Sequence, residues 1–144
     1  MTERTGSCLC GAVRYRLQAD PIATRICWCR DCQKIAGNGT VNMVVASTAI
    51  EITGQTAEYA STADSGNLMR RRFCPNCGAH LFSNSSARPQ ITVVRVGTLE
   101  DPSSVRPSAN IGTASAPAWA CIDSHIDHFD HQPPAPQPTV TRPA

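Results

Sequence analysis

The sequence predicts a mainly β domain, built from short antiparallel strands and pinned by cysteine knuckles. Three observations lead there. Short runs of alternating apolar and polar residues recur with turn residues between them, as half-buried strands require. Helix signals are few. Seven of the eight cysteines fall into three tight groups, in a chain of 144 residues whose aromatic content is only 5%.

Taken in order, Ala12-Val13-Arg14-Tyr15-Arg16-Leu17 alternates cleanly and is stopped by Asp20-Pro21. Gly37-Asn38-Gly39 is a turn that feeds a strand over Val41-Asn42-Met43-Val44-Val45. Ile50-Glu51-Ile52 is another strand, closed by Thr53-Gly54. Glu58–Ser61 and Leu68–Phe73 bracket the turn Asp64-Ser65-Gly66-Asn67. Ala79–Phe82 leaves the second of the cysteine knuckles, and Ile91–Val96 is the most β-rich run, stopped by Gly97. Asp101-Pro102-Ser103-Ser104 suits a single capped turn with proline at its first helical position. Residues 1–131 read as one domain, and 132–144 as a Pro-rich extended tail.

Composition narrows the function. The formal charge is +2, so no strongly basic face announces nucleic acid, and the scarcity of aromatics leaves few stacking platforms for a single strand. No apolar run approaches the ~18 residues of a membrane span, and the start, Met1-Thr-Glu-Arg-Thr, has neither the basic nor the apolar region of a leader. A cytoplasmic domain is expected. Nothing in the sequence sets an oligomeric state.

In a reducing compartment a cysteine-dense chain is read as metal-binding or catalytic rather than disulfide-bonded. Cys8 and Cys10 form C-x-C, Cys27, Cys29 and Cys32 form C-x-C-x-x-C, Cys74 and Cys77 form C-x-x-C, and Cys121 stands alone. Close pairs suit Zn²⁺, because a tight turn aims two thiolates at one ion ~2.3 Å away and two turns complete a tetrahedron. Gly11 and Gly78 suit the left-handed backbone that closes such turns. A set of four secreted disulfides competes with this reading, but the knuckle spacing argues against it. Spacing leaves two pairings open. Cys29/Cys32 with Cys74/Cys77 makes an ordinary zinc ribbon. Cys8/Cys10 with Cys74/Cys77 leaves Cys27, Cys29 and Cys32 as a local triad, and is preferred because three cysteines within six residues can surround an ion unaided. Four protein ligands close a zinc ion off, whereas three leave a position for chemistry. Seven thiolates against two divalent ions would bring the formal charge to about −1.

The motifs together resemble the glutathione-dependent formaldehyde-activating enzyme family, which also includes centromere protein V. They run from Gly6-Ser7-Cys8-Leu9-Cys10-Gly11-Ala12-Val13-Arg14-Tyr15 through Cys27-Trp28-Cys29-Arg30-Asp31-Cys32-Gln33-Lys34 and Arg72-Phe73-Cys74-Pro75-Asn76-Cys77-Gly78. They end with Gly97-Thr98-Leu99-Glu100-Asp101-Pro102 and Ala116-Pro117-Ala118-Trp119. The resemblance covers about residues 6–130, and it implies a fold of the β-tent type. It also implies a structural zinc on Cys8, Cys10, Cys74 and Cys77 and a second, catalytic zinc on Cys27, Cys29 and Cys32. The implied activity is carbon–sulfur lyase-like chemistry on a glutathione adduct, the founding case joining glutathione and formaldehyde to S-hydroxymethylglutathione. Neither the aldehyde nor the thiol is set by these motifs. One departure is Trp28, where the family often has His; an indole only donates, so acid–base help must come from elsewhere.

Three thiolates weaken the Lewis acidity of an ion, and Arg30 and Lys34 are the expected donors to offset their charge. Arg70, Arg71 and Arg72 read first as a solvated face, since three consecutive strand residues cannot all face one way. His125, His128 and His131 read as an exposed polar segment, Cys121 as a free, partly buried thiol, and His80 as a strand residue. A non-catalytic zinc module for protein or nucleic-acid contact is the alternative to the enzyme.

Overall fold

Alternation in the sequence becomes strand in the computed structural model, which describes residues 3–63 and 66–133. A three-stranded antiparallel sheet is formed by β1 (Arg4–Ser7), β2 (Arg14–Leu17) and β5 (Ile50–Thr53), in the order β1-β2-β5. The larger sheet contains β3 (Ala23–Cys27), β4 (Thr40–Ala46), β6 (Ala57–Thr62), β7 (Leu68–Phe73), β8 (His80–Ser85) and β9 (Ile91–Arg95). It is completed by β10 (Ala109–Ile111) and β11 (Asp127–His128), giving the order β11-β10-β3-β4-β9-β8-β7-β6. A single α-helix among the described residues, α1 (Arg30–Ala36), links β3 to β4. No helix among them is long and apolar enough to cross a membrane.

The two sheets close on one core, the arrangement expected of a β-tent. In β2 Tyr15 and Leu17 point inward while Arg14 and Arg16 face out. They meet Met43 and Val45 of β4, Leu81 and Phe82 of β8 and Val94 of β9, all buried. Tyr15 and Phe82 pack edge to face with ring centroids 5.4 Å apart, a favoured geometry for aromatic pairs. Burial pushes the Tyr15 phenol up to about 12, and its oxygen lies 2.7 Å from Thr98 Oγ1. Cys8 and Cys74 belong to the same core, so one cysteine group is continuous with the apolar packing rather than hung on its surface.

Several elements depart from the sequence-based expectation. The larger sheet is mixed, because β10 runs parallel to both β3 and β11. These pairings join residues far apart in the chain through strands of two to three residues, too short to show a period. β1, β3 and α1 also emerge where no strand or helix was expected. α1 has seven residues, fewer than the window in which a helical period shows. Its start is set by a cysteine, with Cys29 Sγ accepting from the Cys32 backbone N–H at 3.4 Å. The turn at Asp101 is present as a 3₁₀ segment, Pro102–Ser104, with Asp101 Oδ1 accepting from the Ser103 N–H at 3.0 Å. Asp64 and Ser65 of the expected turn, and the Pro-rich tail from residue 134 onward, lie outside the described residues.

The core geometry sets a stability prediction. Phe82 is fully buried, carries the Tyr15 ring on one side and has the Arg72 guanidinium 5.0 Å from its centroid. Phe82→Ala should lower unfolding free energy by about 3–5 kcal/mol in urea titrations. Tyr59→Ala, on a ring that is 63% exposed, should stay within about 0.5 kcal/mol.

Candidate functional site

Two loops bring the first cysteine group together. Cys8 and Cys10 lie between β1 and β2, and Cys74 and Cys77 between β7 and β8. Each loop is a closed backbone turn: Cys8 N–H donates to Val13 O at 2.9 Å and Gly11 N–H to Cys8 O at 3.2 Å, while Cys74 N–H reaches Ala79 O at 2.9 Å and Gly78 N–H reaches Cys74 O at 2.8 Å. Gly11 and Gly78 have φ of 80° and 77°, as expected. The four Sγ atoms lie within 4.8 Å of one another, with Cys8–Cys10 and Cys10–Cys74 both at 3.7 Å. Four ligands ~2.3 Å from a tetrahedral ion sit about 3.8 Å apart. The spacing therefore fits a shared metal and is far outside a disulfide bond of ~2.05 Å. All eight cysteines are free thiols. The backbone N–H groups of Ala79 and Cys10 hold the Cys77 thiol down at about 6, which favours the ligating thiolate.

The second group is Cys27 at the end of β3 with Cys29 and Cys32 at the start of α1, their Sγ atoms also within 4.8 Å. This is the triad anticipated from the spacing. Cys27 and Cys32 are buried and Cys29 half-buried. Neighbouring segments fix the loop. Trp28 N–H donates to Ile111 O at 2.9 Å, Gln33 Nε2 donates to Trp28 O at 2.6 Å and to Ser115 O at 3.0 Å, and Thr40 Oγ1 donates to Cys32 O at 3.0 Å. Gly112, at φ 66°, passes so close that a Cβ there would sit 2.9 Å from the Cys29 nitrogen. Hydrogen bonds from Cys27 and Cys32 hold the Cys29 thiol well down, at about 2, helped by the Cys32 N–H and the Arg71 charge. Those same bonds to Cys29 and Cys32, with burial, drive Cys27 far up.

The compensating cations are not those nearest in sequence. Arg30 Nη1 donates along the surface of α1 to Gln33 Oε1 at 2.7 Å. The charges acting on the triad come from Arg71 and Arg95, both buried and both delivered by distant strands. Arg71 lies 3.5 Å from Asp31 Oδ2 and donates to Ser61 Oγ at 3.1 Å. The solvated-face expectation thus holds for Arg70, which pairs with Glu58 at 2.7 Å, but not for Arg71 on the opposite side of β7. Arg72 packs over Phe82 and bonds Asn84 Oδ1 at 3.0 Å. Arg95 was not singled out by the sequence reading; a charge inside the most β-rich run, just before Gly97, was the available signal.

The remaining candidates fall away. His80 stacks on Phe73 with centroids 5.2 Å apart, as a strand residue. Cys121 is exposed rather than partly buried. His125, His128 and His131 are exposed, and His125 Nδ1 lies 3.0 Å from Asp123 Oδ1. None of these joins a metal-competent group among the described residues. Trp28 is buried with its Nε1 unpartnered, and a Cβ on Gly39 would meet its ring at 2.8 Å. Its indole packs against Gly39 and supplies no base.

Comparison with known proteins agrees with this geometry. A family model described as glutathione-dependent formaldehyde-activating enzyme matches residues 3–115. A protein of Halomonas elongata named putative glutathione-dependent formaldehyde-activating enzyme is 32% identical over 92 residues, 60% of this chain and 59% of the relative. The match therefore spans less than two-thirds of that relative's length. A crystal structure of a Rhodobacter sphaeroides protein superposes with a TM-score of 0.55 at 22% identity, covering 72% of this chain and 91% of the other. That likeness concerns the fold.

Gly112 provides a direct test of the triad's support. Gly112→Val, with a strained backbone and a clash at the Cys29 nitrogen, should lower the zinc taken up per chain relative to the wild type. Elemental analysis by mass spectrometry checks this, and Gly97→Ala, where φ is not positive and a Cβ meets nothing within 4 Å, should match the wild type.

Proposed function

The chain belongs to the glutathione-dependent formaldehyde-activating enzyme family, and from that premise we propose that it is a zinc enzyme of carbon–sulfur lyase type. Its substrate is a thiol adduct of a small aldehyde, glutathione and formaldehyde being the leading pair. The observation that carries the reading is the division of seven thiols into one group of four and one of three. Cys8, Cys10, Cys74 and Cys77 would hold a structural zinc, sharing the core with Tyr15 and Phe82. Cys27, Cys29 and Cys32 would hold the catalytic one. When bound there, zinc supplies Lewis acidity at a fourth position, strengthening thiolate character in the substrate sulfur.

The chemistry is an addition. The thiol sulfur bonds to the aldehyde carbon, the carbonyl π bond breaks, and the thiol proton ends on the new hydroxyl; the reverse releases aldehyde. The protein's own residues do the positioning. Cys29 is locked as the cap of α1, Gly112 and Ile111 press on the loop, and Thr40 anchors the Cys32 carbonyl. Arg71 and Arg95 supply the positive charge that three thiolates would otherwise lack. That compensation lets a further anionic sulfur approach, at a site where uncompensated charge is costly.

Two variants test the division. Cys29→Ser should keep the fold, with a melting midpoint within a few degrees, and lower S-hydroxymethylglutathione formation by at least about 100-fold in ¹³C NMR assays. Cys74→Ser should fail to fold, since structural zinc in small domains contributes on the order of 10–16 kcal/mol. Equal unfolding of both variants would sink the assignment of separate roles. Two inert zincs and no turnover by the wild type would favour the non-catalytic module.

A further inference from the structure

Beside the triad lies a cavity of about 410 Å³, bounded by the C-terminal end of α1 and by β4, β8 and β9, within the size range of small-molecule sites. Its wall carries His80 and Arg95 and no acidic residue, with Thr40, Thr98 and backbone at Gly97 completing one side. The cavity adjoins the triad through Thr40, which pairs with Cys27 across the β3–β4 ladder and donates to the Cys32 carbonyl at 3.0 Å. Thr40 is thus a residue that the cavity and the triad segment share.

Arg95 stands apart from the other arginines placed near acids. Arg4 meets Asp20, Arg16 meets Glu3, Arg70 meets Glu58 and Arg71 meets Asp31. Arg95 is only 7% exposed, yet among the described residues it has no carboxylate partner. Its Nη1 donates to the neutral Asn42 Oδ1, and its Nε is buried without a partner, as is Nδ1 of His80. Burying a guanidinium this way is costly unless an anion compensates it. The triad thiolates act on Arg95, but three thiolates with a divalent ion would leave a net charge of about −1 shared between Arg71 and Arg95, so that the two guanidiniums can accept a further anion.

We propose that this cavity is the subsite for a carboxylate of the thiol ligand, and that Arg95 is the residue selecting for it. The inference rests on the thiol-adduct reading above and names its recognition chemistry. A guanidinium fork matches a carboxylate in shape as well as charge, and Asn42 Oδ1 holds one of its amino groups. His80 and Thr98 provide further polar wall. A thiol bearing a carboxylate is held at both ends, whereas a neutral thiol is held only by its sulfur.

Isothermal titration calorimetry on the zinc-loaded full chain tests this with 3-mercaptopropionate, S-methylglutathione and the methyl esters of both. The wild type should bind each acid about 10- to 100-fold more tightly than its ester. Arg95→Gln should remove that preference, and Arg95→Lys should restore part of it. Equal binding of acid and ester by the wild type, no binding of any probe, or a preference that survives Arg95→Gln would overturn the proposal. If Arg95→Gln does not fold, the wild-type comparison and Arg95→Lys still decide. An Arg95-dependent preference for 3-mercaptopropionate without S-hydroxymethylglutathione formation would uphold the subsite and reject the glutathione–formaldehyde reading. Turnover of that pair with no acid preference would do the reverse.

Discussion

The convergence of Cys8 and Cys10 with Cys74 and Cys77 is the constraint on which the rest of the structure depends. Cys10 and Cys74 are 64 residues apart in sequence and 3.7 Å apart at sulfur. One loop belongs to the small sheet and the other to the large sheet, so their meeting point closes the two layers over the core. The domain has three Phe, two Tyr and two Trp, and Trp119 and Tyr59 are exposed. Aromatic burial is therefore modest, and a cross-link through metal at these four thiols would supply order that a larger aromatic core would otherwise give.

With the sheets closed, the larger one becomes a platform for a charged site. Cys27 ends a central strand, α1 starts immediately with Cys29 as its cap, and β10 lies parallel alongside so that Gly112 abuts the loop. The cations arrive from β7 and β9, where strand alternation turns Arg71 and Arg95 to the face of the larger sheet opposite the core residues Phe82 and Val94. Triad thiolates and buried guanidiniums are each unfavourable alone in a low dielectric, and their opposite charges offset part of that cost. The arrangement is local for the sulfur atoms and non-local for the charges that balance them.

That difference explains what could be read from the sequence. β7 matched its anticipated run, and β9 fell one residue short, because their alternation is long and bounded by turns. The close cysteine pairs and the triad were legible because ligand spacing is a local property of tight turns, whereas the meeting of Cys8 and Cys10 with Cys74 and Cys77 was one of two pairings that spacing left open. The cations were not. Arg30 and Lys34 flank the triad in sequence, but a helix turns neighbours to different sides, and Arg30 spends its guanidinium on Gln33. Arg95 lies 63 positions after Cys32 in the chain, so only strand pairing brings it near. β10 and β11 were hidden for the same reason: a parallel pairing of two or three residues leaves no periodic trace.

The central claim is that one group of thiols closes its metal and the other leaves a position for a substrate sulfur. Zinc-edge X-ray absorption on the fully loaded chain reads this directly. The account predicts an average of about 3.5 sulfur ligands per zinc, from seven thiolates shared by two ions, rising toward about four when glutathione is added. An average of four sulfurs without glutathione, or no change on its addition, would contradict it.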